Sequence, residues 1–266
     1  MRRGAAPAKL NLALVVGPRR SDGRHELLTV YQRVALTDRI SVGRADELTV
    51  RGFPGDTLVR HALSELGGRF EATIRKRIPV AAGLGGGSSD AATSLRLANS
   101  LLEAPLAEDR LNEIAARLGA DVPYFLRDGP ALGSGDGTNL EPIELPQDYW
   151  VVLVLPHGVV KRSTGAVYEE FDARRGERGF EDRAAALREA IARVRSPRDL
   201  AELPANDLAS SPLADELRSL GAFRADVSGA GPVVYGLFLH GEPARAAQRR
   251  LARGARTWLT APTWYR

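Results

Sequence analysis

The chain has 266 residues, 44% hydrophobic and 26% charged, which suits one large domain or two small ones with a well-buried core and no need of covalent staples. Cysteine is absent, which excludes disulfides, thiolate-bound zinc, iron–sulfur clusters and a cysteine nucleophile, and the four histidines, His25, His61, His157 and His240, are too scattered for a local metal motif. Net charge is +4, only Lys9, Lys76 and Lys161 among 37 basic residues are lysines, and aromatics make up 6%, so the positive field suits an anionic small molecule or reflects compositional bias, while stacking platforms for single-stranded nucleic acid are excluded.

In chain order, Leu10–Val16 reads as a strand, and Lys9 and Asn11 break the apolar pattern a signal peptide would need. No apolar run approaches the roughly 20 residues of a membrane helix, so a cytoplasmic protein without a membrane partner is expected. Leu27–Leu36, Ile40–Val42 and Leu48–Arg51 are further strand candidates. A helix is expected over Asp56–Leu66 with Asp56 as its cap, then a strand over Phe70–Ile78. After a glycine cluster come helices over Ser88–Leu102 and Leu106–Leu118, the second ended by Gly119. Gly129–Gly137 reads as a turn or hairpin, and the polar, proline-containing stretch Pro142–Asp148 marks a domain boundary, giving domains 1–145 and 146–266. The second half opens on the buried-type strand Trp150–Leu155. Helices are expected over Ser163–Phe171, Asp182–Val194, Asp215–Leu220 and Glu242–Ala252, and strands over Val233–Leu239 and Arg256–Leu259. Both halves are α+β.

The densest chemical signal is the stretch Pro79, Val80, Ala81, Ala82, Gly83, Leu84, Gly85, Gly86, Gly87, Ser88, Ser89, set between an expected strand and an expected helix. Four glycines in the five positions 83–87 strip side chains from the backbone, so bare amides can converge on an anion, and the following helix adds its unpaired N–H groups and positive dipole end. Ser88 and Ser89 can donate to phosphate oxygens or hold a metal-bound water. The pattern is neither a Walker A loop, since no Lys follows the glycines, nor a dinucleotide fingerprint, since Ser88 stands where its third glycine would fall.

Three weaker blocks accompany it. In Pro7-Ala8-Lys9-Leu10-Asn11, Lys9 and Asn11 share one face of a strand, which is either a polar wall or an ordinary exposed face. Asp121, in Gly119-Ala-Asp121-Val-Pro123-Tyr-Phe125, follows a helix and precedes an apolar run, so it is a reactive carboxylate or a helix N-cap. Ser228-Gly229-Ala230-Gly231-Pro232 is a functional turn or a plain connection between strands.

Taken together and in this order, these blocks resemble the GHMP kinases, over nearly the whole chain. The resemblance implies a two-domain α+β fold with the active site in the interdomain cleft, ATP as co-substrate with Mg²⁺, small-molecule partners, and a monomer or weak homodimer. It implies that Pro79–Ser89 holds the ATP phosphates and that Lys9 and Asp121 are catalytic. The blocks Arg20-Ser-Asp22-Gly23-Arg24-His25, Thr164-Gly-Ala-Val-Tyr168 and Asn206-Asp207-Leu208 favour the branch that phosphorylates the 2-hydroxyl of 4-diphosphocytidyl-2-C-methyl-D-erythritol. The alternative is a member acting on homoserine, mevalonate or a sugar. In the favoured branch His25 would read the cytosine, Tyr168 would stack on it, and Asn11 would contact the methylerythritol end. Two positions depart from the branch's usual pattern: Arg24 stands where an aromatic is usual, and Thr57 where Asn is common at the start of the first helix.

Overall fold

The computed structural model describes residues 1–55, 57–159 and 163–263, so Asp56, the expected helix cap, and Lys161 lie outside the described residues. By compactness the chain forms two units, one of residues 1–8, 36–81 and 85–128 and one of residues 9–35, 82–84 and 129–266. A single cut after residue 145 does not reproduce this division, because the long strands β1 (Arg2–Arg19) and β2 (His25–Arg44) each contribute to both units.

In the first unit, the second half of β2 pairs antiparallel with β4 (Phe70–Arg75), Arg39 opposite Arg75 and Arg44 opposite Phe70, and β3 (Thr49–Arg51) runs parallel to β4. The two-residue period points Ile40, Val42, Ala72 and Ile74 inward, where they share a core with Ala6, Val59, Leu63, Phe70 and Ala98. That core is completed by α1 (Leu58–Ser64) and α2 (Gly86–Asn99), while α3 (Glu108–Leu118) and the short α4 (Val122–Leu126) pack beside α2.

Several boundaries differ from the sequence expectation for local reasons. Leu27–Leu36 and Ile40–Val42 belong to one strand, because the intervening Asp38 is fully buried and hydrogen-bonded rather than in a turn. β4 stops at Arg75, short of Ile78, because the amides of Arg77 and Ile78 donate to the Asp38 carboxylate instead of a sheet neighbour. α2 begins at Gly86 rather than Ser88 and ends at Asn99, whose side-chain amide bonds the N–H and C=O of Leu106. Gly119 does end α3, but in extended conformation with φ 167° rather than in a left-handed cap.

In the second unit, the apolar run β7 (Trp150–Pro156) lies inside an antiparallel sheet ordered β10 (Ala255–Thr260), β7, β9 (Val234–Phe238), β8 (Arg224–Val227). Helices α7 (Pro212–Ser219) and α8 (Gly241–Leu251) bury Leu217, Ala244, Ala247 and Leu251 against Val152, Val154, Val234 and Phe238. The first half of β2 pairs with β5 (Ala131–Gly135), which forms the expected hairpin with β6 (Asn139–Pro142). Helices α5 (Thr164–Ala173) and α6 (Phe180–Arg193) complete the unit. No helix among the described residues is long and apolar enough to cross a membrane.

Candidate active site

The glycine segment forms the strand-to-helix connection that its composition predicts. Residues with positive φ alternate along it: Ala81 at 63°, Gly83 at 82° and Gly85 at 66°. Such alternation turns successive amides toward one side, the geometry of an anion-binding nest. Ala81 holds this conformation without being glycine, a local strain typical of functional loops. Gly83 is required by space as well as by φ, since a Cβ there would lie 2.2 Å from the carbonyl oxygen of Ser228.

Gly85 is the N-cap of α2 and provides no side-chain cap, and the first turn of the helix contains no acidic residue. The first helical bond runs from Ser89 N–H to Gly85 O at 2.9 Å, so the amides of Gly86, Gly87 and Ser88 have no acceptor within the helix. A 14-residue helix thus presents bare amides and its positive end together. Along the segment Pro79, Ala82, Leu84 and Ser89 are buried, while Val80, Ala81 and Gly87 are exposed and Gly83, Gly85, Gly86 and Ser88 are half-buried. The hydroxyl of Ser89 is buried without a hydrogen-bond partner, so Ser88 is the more accessible of the two serines.

Lys9 and Asn11 do share a face of β1, and that face is buried, each residue being only 4% exposed. Lys9 Nζ donates to Asn11 Oδ1 at 2.6 Å and lies 5.3 Å from the centre of the Tyr31 ring. Asn11 Nδ2 donates to Thr29 Oγ1 at 2.8 Å, and Thr29 donates in turn to the carbonyl of Ala13. This chain of bonds fixes which way the Asn11 amide points, so its oxygen faces the ammonium. The reading of an exposed strand face is excluded.

Ser228 fastens this wall to the glycine segment: its Oγ accepts from the Asn11 N–H at 3.4 Å and donates to the Gly83 carbonyl at 3.0 Å. Lys9 N–H also donates to Leu84 O at 3.0 Å, and Val233 N–H to Ala82 O at 3.2 Å. Asn206 holds the Ser228–Gly231 turn by donating to the carbonyls of Val227 and Gly229. The turn is therefore more than a connection between strands. Asp207 accepts from the Val16 N–H and from Arg183, tying the far end of β1 to α6.

Asp121 stands at the N-cap of α4, but its side chain makes no capping bond to the helix. The position matches the capping alternative and the hydrogen bonding does not.

His25 opens β2 and meets one face of α5. Tyr168, Phe171 and Asp172 lie at i, i+3 and i+4 on that helix, the spacing that brings side chains together. The His25 and Tyr168 rings stack with centres 4.7 Å apart, Phe171 approaches edge-on at 5.9 Å, and His25 Nε2 lies 2.7 Å from Asp172 Oδ1. A carboxylate only accepts, so Nε2 is the donor, and in the tautomer with its proton there Nδ1 is the acceptor. Tyr168 also packs against the cluster of Leu14, Val16, Val167, Phe171 and Leu208, so it serves the core and the site at once. Arg24 does not stack there: its guanidinium pairs with Asp136. Burial pushes the Asp136 carboxyl up, but hydrogen bonds from Thr138 and Arg24 outweigh it and hold the group below its usual range.

Sequence reasoning missed Thr29, Asp172 and the buried trio Asp38, Lys76 and Asp90. Lys76 had one visible signal, its rarity in a chain that otherwise uses arginine. Among the described residues no group of three or more His, Asp or Glu side chains is placed to hold a metal ion.

Comparison with known proteins bears on this arrangement. The GHMP kinases N terminal domain matches residues 56–129 and the GHMP kinases C terminal domain residues 187–256. The 4-diphosphocytidyl-2-C-methyl-D-erythritol kinase of Citrifermentans bemidjiense is 39% identical over 96% of each chain, and that of Pelobacter propionicus 40% identical with the same coverage. A crystal structure of 4-(cytidine 5'-diphospho)-2C-methyl-D-erythritol kinase superposes with a TM-score of 0.78 at 32% identity, covering 98% of this chain and 99% of the other. A mevalonate kinase structure superposes with a TM-score of 0.75 at 13% identity over the whole of both chains, a likeness of fold alone.

Proposed function

We infer the activity from kinship: the chain belongs to the 4-diphosphocytidyl-2-C-methyl-D-erythritol kinases of the GHMP kinase family. It is an ATP-dependent kinase that transfers the γ-phosphoryl group to the 2-hydroxyl of 4-diphosphocytidyl-2-C-methyl-D-erythritol, giving the 2-phosphate and ADP, a step of non-mevalonate isoprenoid precursor synthesis. The observation that carries this reading is the likeness over nearly the full length to relatives of that one activity.

The residues present support a division of labour. The amides of Ala81–Ser88 and the positive end of α2 receive the ATP phosphates, charge that the segment accepts without any basic side chain of its own. Mg²⁺, when bound with the nucleotide, would supply positive charge against that of the phosphate oxygens. The acceptor is a tertiary alcohol, a weak nucleophile with a high pKa. Asp121, uncommitted to capping α4, accepts the hydroxyl proton as the bond from oxygen to the γ-phosphorus forms and the bond to the β–γ bridging oxygen breaks. Lys9, its ammonium oriented by Asn11, places positive charge where the transferred group carries its excess negative charge. Asn11 contacts the methylerythritol end. The Nδ1 acceptor of His25 suits the exocyclic amino group of cytosine, and Tyr168 offers it a flat apolar surface.

The test is ATP consumption by the purified protein with Mg²⁺ and the cytidyl alcohol, with homoserine, mevalonate and galactose in parallel. Turnover with the cytidyl alcohol alone is expected; turnover only with another alcohol would leave the fold in place and remove the roles given to His25 and Tyr168.

A further inference from the structure

The first unit contains a buried ionic trio that no step of the reaction uses. Lys76 Nζ donates to Asp38 Oδ2 at 2.5 Å and to Asp90 Oδ2 at 2.8 Å. Asp38 comes from β2, Lys76 follows β4, and Asp90 is the fifth residue of α2. The side chains of Asp38, Asp90 and Lys76 are 0%, 2% and 16% exposed. Two carboxylates share one ammonium in the interior, and Asp90 Oδ1 has no hydrogen-bond partner. Such a cluster is costly, and an apolar trio of the same volume would be expected to do as well or better for stability alone.

Its placement gives a reason for keeping it. Asp38 Oδ1 also accepts the amides of Arg77 and Ile78, the last residues before the glycine segment. Asp90 belongs to the first turns of the helix that follows the segment. The trio therefore ties the residues leading into Pro79–Ser89 to those leading out of it. Space is tight as well: a Cβ on Gly86 would lie 3.3 Å from Lys76 Nζ and 3.0 Å from Ile78 Cγ2. A compact ammonium fits between the carboxylates and beneath Gly86, where a planar guanidinium would need more room.

We propose that Lys76, Asp38 and Asp90 form a positioning clamp that holds the two ends of the glycine segment at the separation needed to receive the phosphates of ATP. The proposal rests on the reading of that segment as the phosphate site. It assigns Lys76 a role through the backbone of the segment, not a contact with the transferred group.

The test combines steady-state kinetics with hydrogen exchange on the full-length protein. In the wild type, ATP with Mg²⁺ is expected to protect the amides of residues 81–88. In Lys76→Arg, which keeps the charge and changes its shape, the KM for ATP is expected to rise about tenfold, with the KM for the cytidyl alcohol within about twofold of wild type and the ATP-dependent protection reduced. Asp90→Asn leaves a neutral Lys76–Asp38 pair and should show the same asymmetry to a smaller degree, so it serves if Lys76→Arg does not fold. An unchanged KM for ATP in the folded variants, or equal rises in both KM values, would overturn the clamp. Wild-type protein lacking protection at residues 81–88 would overturn the phosphate-site reading and the clamp with it, whereas protection that survives both substitutions would overturn the clamp alone.

Discussion

At the scale of single residues, the proposed roles divide into groups that act and groups that aim them. Asp121→Asn keeps size and hydrogen bonding but cannot accept a proton. It is expected to lower kcat by about 10²–10⁴-fold with little change in the KM for ATP, and an Asn variant with normal turnover would remove Asp121 as the base. Asp172 aims rather than acts. Its carboxylate keeps the proton of His25 on Nε2, so Asp172→Ala frees the ring to present either tautomer. The KM for the cytidyl alcohol should then rise about five- to tenfold while that for ATP holds; equal changes in both would show general loosening instead. Gly83 is bound by φ and by its approach to Ser228 O together. Gly83→Ala should cost about 2–4 kcal/mol in a urea titration, the sum of left-handed strain and a backbone overlap.

At the scale of elements, β2, the residues after β4, and α2 meet at the Asp38–Lys76–Asp90 trio, and that meeting makes stability depend on pH. Burial is the largest cause raising the Asp90 carboxyl from 3.8 to about 7; nearby Asp38 adds to it and Lys76 opposes it. The folded chain therefore keeps a proton that the unfolded chain has already lost. Stability contributed by the protonated form is present at low pH and is lost as pH rises from about 4 through about 7, with no further change above. The Tm of the wild type should thus fall relative to that of Asp90→Asn between pH 5 and pH 8. Parallel Tm profiles for the two proteins would mean that Asp90 titrates as an ordinary carboxyl.

At the scale of the whole molecule, long-range polar bonds do what local propensity cannot. Arg224 is 6% exposed and gathers the carbonyls of Leu12, Leu203 and Pro204 at 2.5, 2.6 and 2.8 Å. Tyr235, its hydroxyl pushed up to about 12 by burial, donates to the same Leu12 carbonyl at 3.1 Å. Leu12 lies one residue beyond Asn11, so this knot sets the backbone of the strand that bears Lys9 and Asn11. Arg224→Met strands several buried acceptors at once and should cost about 3 kcal/mol or more in denaturant unfolding. A loss below 1 kcal/mol would mean that water or neighbouring donors replace the guanidinium.

Much of this was readable from residue order. The glycines at 83 and 85–87 followed by an apolar-periodic helix announce an anion cradle, because bare amides and a helix start are properties of the local chain. The alternation in Phe70–Arg75 and the apolar run of Trp150–Pro156 announce strands for the same reason. By itself the sequence determined the α+β character, the glycine-lined connection from strand to helix, the shared strand face of Lys9 and Asn11, and kinship with a kinase family. Only the tertiary structure decided that this face is buried, that Asp121 leaves its helix uncapped, that Arg24 turns to Asp136, and that Asp38, Lys76 and Asp90 converge. The pairings of Arg24 with Asp136 and of Lys76 with Asp38 and Asp90 join residues 14 to 112 positions apart in the chain. Periodicity and propensity act over one or two turns, whereas the partner of a buried charge is set by which elements the packed core brings together.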